Sequence, residues 1–189
     1  DAESNFEFGS AAASGKSERS SVDDADALAA LLGNEKVWAM LPESYPGTID
    51  SDLATNLITL SNTAPDRHQV RAVWWQGAIA GQVRLQFNSS PYVDTAEISY
   101  WLGEPFWGRG IATDIVSLMT AQAFALWPGL QHIFARVVHG HDASMRVLEK
   151  SGYRRDPFMD RHAMKAGERL SLDVFSVCRP DYAFDTTAP

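Results

Sequence analysis

Cys178 is the only cysteine in 189 residues. A lone thiol can close no internal disulfide and can build no cysteine-based metal site. A reducing cytosol is therefore the expected compartment. Long apolar runs are also missing. None approaches the ~18 residues of a spanning helix, so no membrane role is expected. No basic stretch leads into an apolar one at the start, so no secretory leader is expected. Basic charge is scarce: 16 Lys and Arg stand against 24 Asp and Glu, a net charge of −8. That argues against nucleic-acid binding by phosphate neutralisation. An acidic surface concentrates cations, so a cationic or neutral substrate is expected. Two nucleotide signatures are absent as well. There is no Gly-Lys-Ser/Thr at P-loop spacing, and the third glycine of the dinucleotide fingerprint is missing.

What is present suits one globular domain. Hydrophobic residues make up 45% and charged residues 21%, and the length supports a sizeable core. Residues 1–20, rich in Ser, Ala and Gly, read as an extension in which "FEF" could pair as a short strand. Ser21 caps a helix, with Asp24 completing an acidic capping box. Ala25, Leu28, Leu31 and Leu32 form its apolar face, and Gly33-Asn34 end it. A second helix is predicted over residues 49–61 with a Leu53, Leu57, Leu60 stripe.

"QVRAVWWQGAIAGQVRLQF" predicts a hairpin turning at Gln76-Gly77. Trp74 and Trp75 then point to opposite faces of their strand. "AEISYWLG" is a further strand. "GIATDIVSLMTAQAFAL" is a helix with Ile111, Ile115, Leu118 and Met119 on one face. "HIFARVV" is a buried strand, and "DASMRVLEKSGY" a short helix ended by Gly152. "LSLDVFSV" pairs through the "KAGE" turn with residues 158–164. The order predicts an α/β chain with a mixed sheet and at least one crossover helix.

The stretch "EPFWGRGIATDIV" (104–116) stands out. Small residues at 108, 110 and 112 precede a helix. A helix N-terminus carries unpaired N–H groups and the positive end of the macrodipole. Small residues let a phosphate approach that backbone, and Arg109 adds a charge. Two readings stand side by side: a phosphate or pyrophosphate site, or a tight turn with close helix packing.

"AEISYWLGEPFWGRGIATDIV", followed by "HIFARVVHGHDASMRVLEKSGY", resembles the GNAT superfamily of acyl-CoA N-acyltransferases, and within it the RimJ/RimL-type branch. The superfamily's pyrophosphate loop reads Gln/Arg-x-x-Gly-x-Gly/Ala; here it is Trp107-Gly108-Arg109-Gly110-Ile111-Ala112. A second motif, Asn-x-Ala-Ser-x-x-Val-Leu-Glu-Lys-x-Gly-Phe/Tyr, is matched from Ala143 to Tyr153. The resemblance covers roughly residues 21–182. It implies a single GNAT domain over 21–189, with 1–20 an extension or atypical first strand. The implied fold is a mixed, mostly antiparallel sheet of about six or seven strands with about four helices, splayed at the acetyl-CoA site.

The resemblance implies that the amides of Arg109, Gly110, Ile111, Ala112 and Thr113 hold the pyrophosphate of acetyl-CoA, with Trp107 and Gly108 of the same loop also binding the cofactor. It places Tyr100, Trp101 and Leu102 along the pantetheine arm. His141 stands where the family has an asparagine that bonds the pantetheine amides. An imidazole can replace it or make binding pH-sensitive. A metal role for His139 and His141 is not expected. The family's first strand usually reads Leu-x-Leu-Arg-x-Leu. Here "GKSERSS" stands in its place, so that strand is either an edge held by backbone bonds or is replaced by "NFEFGSA".

Acetyl transfer needs a neutral amine. At pH 7 a lysine-like amine (pKa ~10.4) costs about 4–5 kcal/mol to neutralise, an α-amine (~8) only about 1 kcal/mol. The family likeness makes Glu97 the first candidate base; Asp173, in the last strand beside the acceptor cleft, is the second. Each could instead be a structural partner. The family's usual acid, a tyrosine in the helix after the fifth strand, is Leu148 here, so Ser144 is the candidate proton donor and also lies on the cofactor. Its alternative is a helix-start polar residue. Tyr153 reads as packing. Cys178 lies away from both motifs, which favours direct attack in a ternary complex. Acceptors are a protein N-terminus or a small amine, for a monomer or homodimer in the cytoplasm. The rival reading is a non-catalytic acyl-CoA-binding module.

Overall fold

The computed structural model describes residues 15–19, 21–41, 49–63 and 67–179. Among them run β1 (Gly15–Arg19), α1 (Ala25–Leu32), α2 (Glu35–Trp38), α3 (Ser51–Thr63), β2 (His68–Trp75), β3 (Ala78–Phe87) and β4 (Thr95–Leu102). They continue as α4 (Ile111–Leu126), β5 (His132–Val138), α5 (Asp142–Lys150), β6 (Arg154–Arg155), β7 (Met159–Lys165) and β8 (Glu168–Cys178). The strands form one sheet in the order β1-β2-β3-β4-β5-β8-β6, with β7 also on β8. Every pairing is antiparallel except β4 with β5. That parallel pair requires a crossover, which α4 supplies.

Local chemistry accounts for most of these elements. Gln76 and Gly77 both have positive φ (51° and 80°), the conformation a two-residue hairpin turn needs. Ala166 and Gly167 repeat it (49° and 85°) between β7 and β8. At the first helix the Ser21 N–H donates to Asp24 Oδ2 at 2.8 Å and the Asp23 N–H donates to Ser21 Oγ at 3.3 Å. This box closes a 3-10 turn over Val22–Asp24, and the α-helix proper starts at Ala25. Asn34 does not only end α1: its Oδ1 accepts from the Lys36 N–H and so starts α2.

"GKSER" itself is the edge strand β1, paired with β2 from Gly15↔Trp75 to Arg19↔Arg71. The expected "FEF" strand lies outside the described residues. The second predicted helix runs two residues later than expected. Its buried positions are Ala54 and Ile58 rather than Leu53 and Leu57, which are half-buried; the Leu60 side chain lies outside the description. The helix is turned by one residue because Leu57 faces the cleft described below.

Strand parity sorts the side chains into two layers. Val83, Leu85, Ala96, Ile98, Ile133, Ala135 and Phe175 pack against Ile115, Met119, Phe124 and Leu148 of α4 and α5. On the opposite face, Ala72 and Ile79 pack against Leu28, Ala29, Ala54 and Ile58 of α1 and α3. Trp75 joins the first layer and Trp74 the second, as their adjacency predicts. Arg179 closes the far end of α4. Its guanidinium donates to the carbonyls of Phe124, Trp127 and Leu130 at 2.7–2.8 Å, a cation at the negative end of the helix.

Candidate active site

The site begins where β4 and β5 part. They pair only at Thr95↔His132, Ala96↔Ile133 and Glu97↔Phe134. Beyond Glu97 both strands continue, to Leu102 and Val138, with no pairing between them. The other side of β4 stays bonded to β3 down to Leu102. The backbone of residues 98–101 therefore has no strand partner on the β5 side and offers an edge to whatever lies in the fork.

The small-residue loop closes the open end of that fork. Gly108 and Gly110 have φ of 72° and 83°, which L-residues rarely adopt. Gly110 is the N-cap of α4 and offers no side-chain cap. The first-turn N–H groups thus point outward. A Cβ on either glycine would meet no protein atom within 4 Å. Close packing against the protein is therefore not what keeps these positions small; the loop borders open space. The Trp107 indole N–H donates to the Leu102 carbonyl at 2.7 Å and pins the loop to the end of β4.

This space is a cleft of 1220 Å³ that reaches from α4 and α5 across the fork to α1 and α2. Tyr100, Trp101, Leu102 and residues 106–113 line it, together with His141, Ser144, Glu97 and Arg136. The cofactor-side residues expected from the sequence thus converge on one cavity. Leu41, Met40 and Val37 form its opposite wall. The Lys165 ammonium holds that wall by donating to the carbonyls of Trp38 and Leu41, each at 2.6 Å.

Parity puts two polar pairs on opposite sides of the fork. Glu97 and Ser99 share one face of β4, Ile98 and Tyr100 the other. On the α1 side, Arg136 grips Glu97 with two bonds, Nε to Oε1 at 2.8 Å and Nη2 to Oε2 at 2.6 Å. Glu97 is 15% exposed, Arg136 39%. On the α5 side, the Tyr100 hydroxyl lies 2.8 Å from Ser144 Oγ and 3.2 Å from the Ser144 carbonyl. Burial pushes the Tyr100 phenol well above its ordinary value, and the bond from Ser144 offsets this only in part. The phenol stays protonated at any physiological pH.

His141 starts α5 at the cleft wall. Burial lowers its pKa below the ordinary imidazole value, against the opposing charge of Asp142. It is neutral at pH 7, with one donor and one acceptor nitrogen. His139 diverges from it. The His139 Nδ1 meets Asp173 Oδ2 at 2.9 Å, and Arg155 bonds the other carboxylate oxygen.

The structure thus places Asp173 away from the cleft, fully buried, with both oxygens engaged. Its neighbour in β5 is Val137, on the α5 side of the sheet. Burial alone would raise its pKa, but the bonds and charges of Arg155 and His139 outweigh this and hold it below the usual carboxylate range. Leu148 is buried without a polar role and Tyr153 bonds Thr120 at 2.7 Å inside the core. Cys178 pairs with His132 at the closed end of the fork, opposite the mouth.

The sequence reading had not singled out Arg136, Arg84, Ser99 or the Tyr100 hydroxyl as polar groups of the site. Alternation along β3, β4 and β5 was the available signal. It became usable only once register was known.

With this geometry in view, relatives are informative. The probable N-acetyltransferase YjcK of Bacillus subtilis is 33% identical over 89 residues, 47% of this chain and 49% of that protein. The chain spans about half the length of the relatives it matches. Among solved structures, RimJ of Mycobacterium smegmatis in complex with CoA-disulfide superposes with a TM-score of 0.81 at 18% identity, covering 92% of this chain and 86% of that one. RimL, a ribosomal L7/L12 alpha-N-protein acetyltransferase in complex with coenzyme A, gives 0.74 at 18%, covering 87% and 93%. At these identities the likeness is one of fold. The acetyltransferase (GNAT) domain family matches residues 19–154, most of the chain. On that match, and with the forked sheet and glycine loop in place, the chain belongs to the acetyltransferase (GNAT) family.

Proposed function

We propose that this protein transfers the acetyl group of acetyl-CoA to a primary amine by direct attack within a ternary complex. The observation that carries the proposal is the fork itself. Unpaired β4 backbone, the N-terminus of α4 and two polar pairs meet along one cleft. The first-turn amides from residue 109 to 113 would hold the pyrophosphate, a dianion at the positive end of a helix. The edge of residues 98–101 would pair with the amides of the pantetheine arm, and His141 would add one bond.

The thioester would then lie in the fork, between Glu97 on one side and Ser144 on the other. Glu97 acts as the base. Arg136 occupies one lone pair on each carboxylate oxygen, and the remaining lone pairs can take a proton from the amine directly or through a water. As the nitrogen bonds to the carbonyl carbon, that proton moves to Glu97. As the C–S bond breaks, the sulfur takes the Ser144 hydroxyl proton while Ser144 takes that of Tyr100, and the proton held by Glu97 is released to solvent, from which Tyr100 is reprotonated, so that the net products are amide and CoA thiol. The exposed Cys178, at the closed end of the fork, leaves no thiol to carry a covalent intermediate. The likeness to RimJ and RimL favours a protein N-terminus as acceptor, and its α-amine is also the cheaper one to neutralise.

Release of free CoA thiol should be followed with acetyl-CoA and a panel of amines and short peptides. Amine-dependent release with acetylated product supports the proposal. Tight acetyl-CoA binding with no release for any amine would instead describe a binding module.

A further inference from the structure

The half of the cleft on the α1 side is built from two materials. Its floor is the face of β3 and β4 that carries Glu97, with Ser99, Gln82 and Gln86 beside it. Its wall is apolar: Val37, Met40 and Leu41 at α2 and just after it, and Leu57 of α3. Met40 is 45% exposed although it lines a cleft. A large apolar group left open beside a polar floor suits a ligand that is polar on one side and apolar on the other.

That wall does not stand by itself. α2 has four residues, too few for a helix to hold its own shape. Its start is tied next to the glycine loop, where the Asn34 Nδ2 donates to Glu104 Oε2 at 2.7 Å and Lys36 meets the other carboxylate oxygen. Its end is tied by Lys165, which lies at least 124 residues further along the chain. The Lys165 ammonium donates to the carbonyls of Trp38 at 2.6 Å, Ala39 at 3.1 Å and Leu41 at 2.6 Å. The last carbonyls of a helix are short of intrahelical donors, and the ammonium supplies them. It also sits 5.2 Å from the centre of the Trp38 ring, within cation–π range.

Lys165 ends β7, and Ala163 shares its side of that strand. Ala163 lines the cleft, as does Leu172 of β8. One ammonium therefore joins the α2 wall to the β7–β8 hairpin across the α1-side half of the cleft. Resting on the acetyltransferase reading above, we propose that Lys165 is a positioning residue for the acceptor, and that the wall it holds selects a primary amine with an apolar group beside the nitrogen. The amine meets Glu97 on the floor, and the apolar group fills the space against Met40 and Leu41. Lys165 acts through the carbonyls after α2. Two sources share the chemistry: a peptide whose first residue is large and apolar, and a free alkylamine.

The test uses the full chain with acetyl-CoA and matched acceptors: peptides beginning with Met or Leu against Ser or Asp, and alkylamines against amino alcohols of equal length. The expected result is a kcat/KM ratio of about tenfold or more for the apolar member in one of the two sets, and that set identifies the source. Lys165→Met keeps the apolar stem and removes the donors. It should lower kcat/KM for the favoured acceptor about fivefold or more, chiefly through the acceptor KM, and draw the ratio toward one. Acetyl-CoA Kd measured by calorimetry should stay within about twofold. Lys165→Arg keeps charge and donors and should restore the ratio in part. Met40→Gln changes an exposed side chain, so it tests the wall even if Lys165→Met fails to fold; the ratio should fall about threefold or more. A wild-type ratio near one in both sets overturns the proposal but leaves acetyl transfer standing. A folded Lys165→Met that melts lower yet keeps the wild-type ratio and acceptor KM overturns it, as does an unchanged ratio in Met40→Gln. Absence of turnover for every acceptor overturns the acetyltransferase reading itself, and this inference with it.

Discussion

The Tyr100 hydroxyl lies 2.8 Å from the Ser144 hydroxyl although 44 residues separate them in the chain. β4 and α5 meet at this contact, on the α5 side of the fork. Burial keeps the phenol protonated when the step begins, so it can relay a proton through the serine to the departing thiolate, provided solvent then reprotonates it. Tyr100→Phe and Ser144→Ala should therefore each lower kcat by about tenfold or more, with little change in the acetyl-CoA KM. The double variant should be no slower than the slower single, since the pair acts as one unit. Steady-state rates that multiply instead would show two independent roles.

Glu97→Gln keeps the shape of the side chain and removes the proton acceptor. Turnover near neutral pH should fall and recover as pH rises, because more of the amine is already neutral. Recovery should level off near the acceptor's own pKa, about 8 for an α-amine and about 10 for a lysine-like one. A pH–rate profile of both proteins reads this directly. A variant that is slow but parallel to wild type at every pH would make Glu97 a purely structural partner of Arg136.

Gly110 is left-handed and borders open space. Gly110→Val should raise the acetyl-CoA Kd at least tenfold, since its side chain would occupy the approach to the α4 amides. The positive φ adds a stability cost of about 1–3 kcal/mol. Gly110→Ala carries the same strain with a smaller obstruction, so its binding loss should be the lesser. Calorimetry and thermal melts together separate the two effects. Equal affinity in all three proteins would move the pyrophosphate elsewhere.

Asp173 is held by Arg155 and His139 inside the sheet, away from the cleft. Asp173→Asn should lower stability by about 2 kcal/mol, the range for a bond to a charged group. Turnover per folded molecule should stay near wild type. The sign of the pH dependence follows from its depressed pKa in the fold. The wild-type advantage is complete above the unfolded value near 3.9 and fades as pH falls through the lower folded value. Melts between about pH 7 and pH 3 would show the gap closing only at the acid end. A well-folded variant with collapsed turnover would return Asp173 to the mechanism.

Residues adjacent in sequence settled much about this protein. A capping box, two hairpin turns with positive φ and a glycine loop before a helix are conditions that a few neighbouring residues satisfy among themselves. The alternation of β4 is equally local. Hence the order of elements, the loop and the cleft-lining roles expected of residues 107–113 were legible without coordinates. Net charge was legible too, but it is a sum over the whole surface and says nothing about how a cleft divides it.

What neighbouring residues cannot fix is register and the meeting of distant elements. Whether Leu53 or Ala54 faces the core depends on how α3 rolls against the sheet. Glu97 finds Arg136 only because β4 and β5 pair at three positions and then diverge. Asp173 is engaged by His139, 34 residues before it, and by Arg155, 18 residues before it, through packing of β8 against its neighbours. Tyr100 reaches Ser144 because the crossover through α4 returns α5 to the same face. Each of these contacts joins residues that share no local constraint. Tertiary packing alone decides them, because burial of the apolar layers fixes the strand alignments, and the polar partners follow from that alignment.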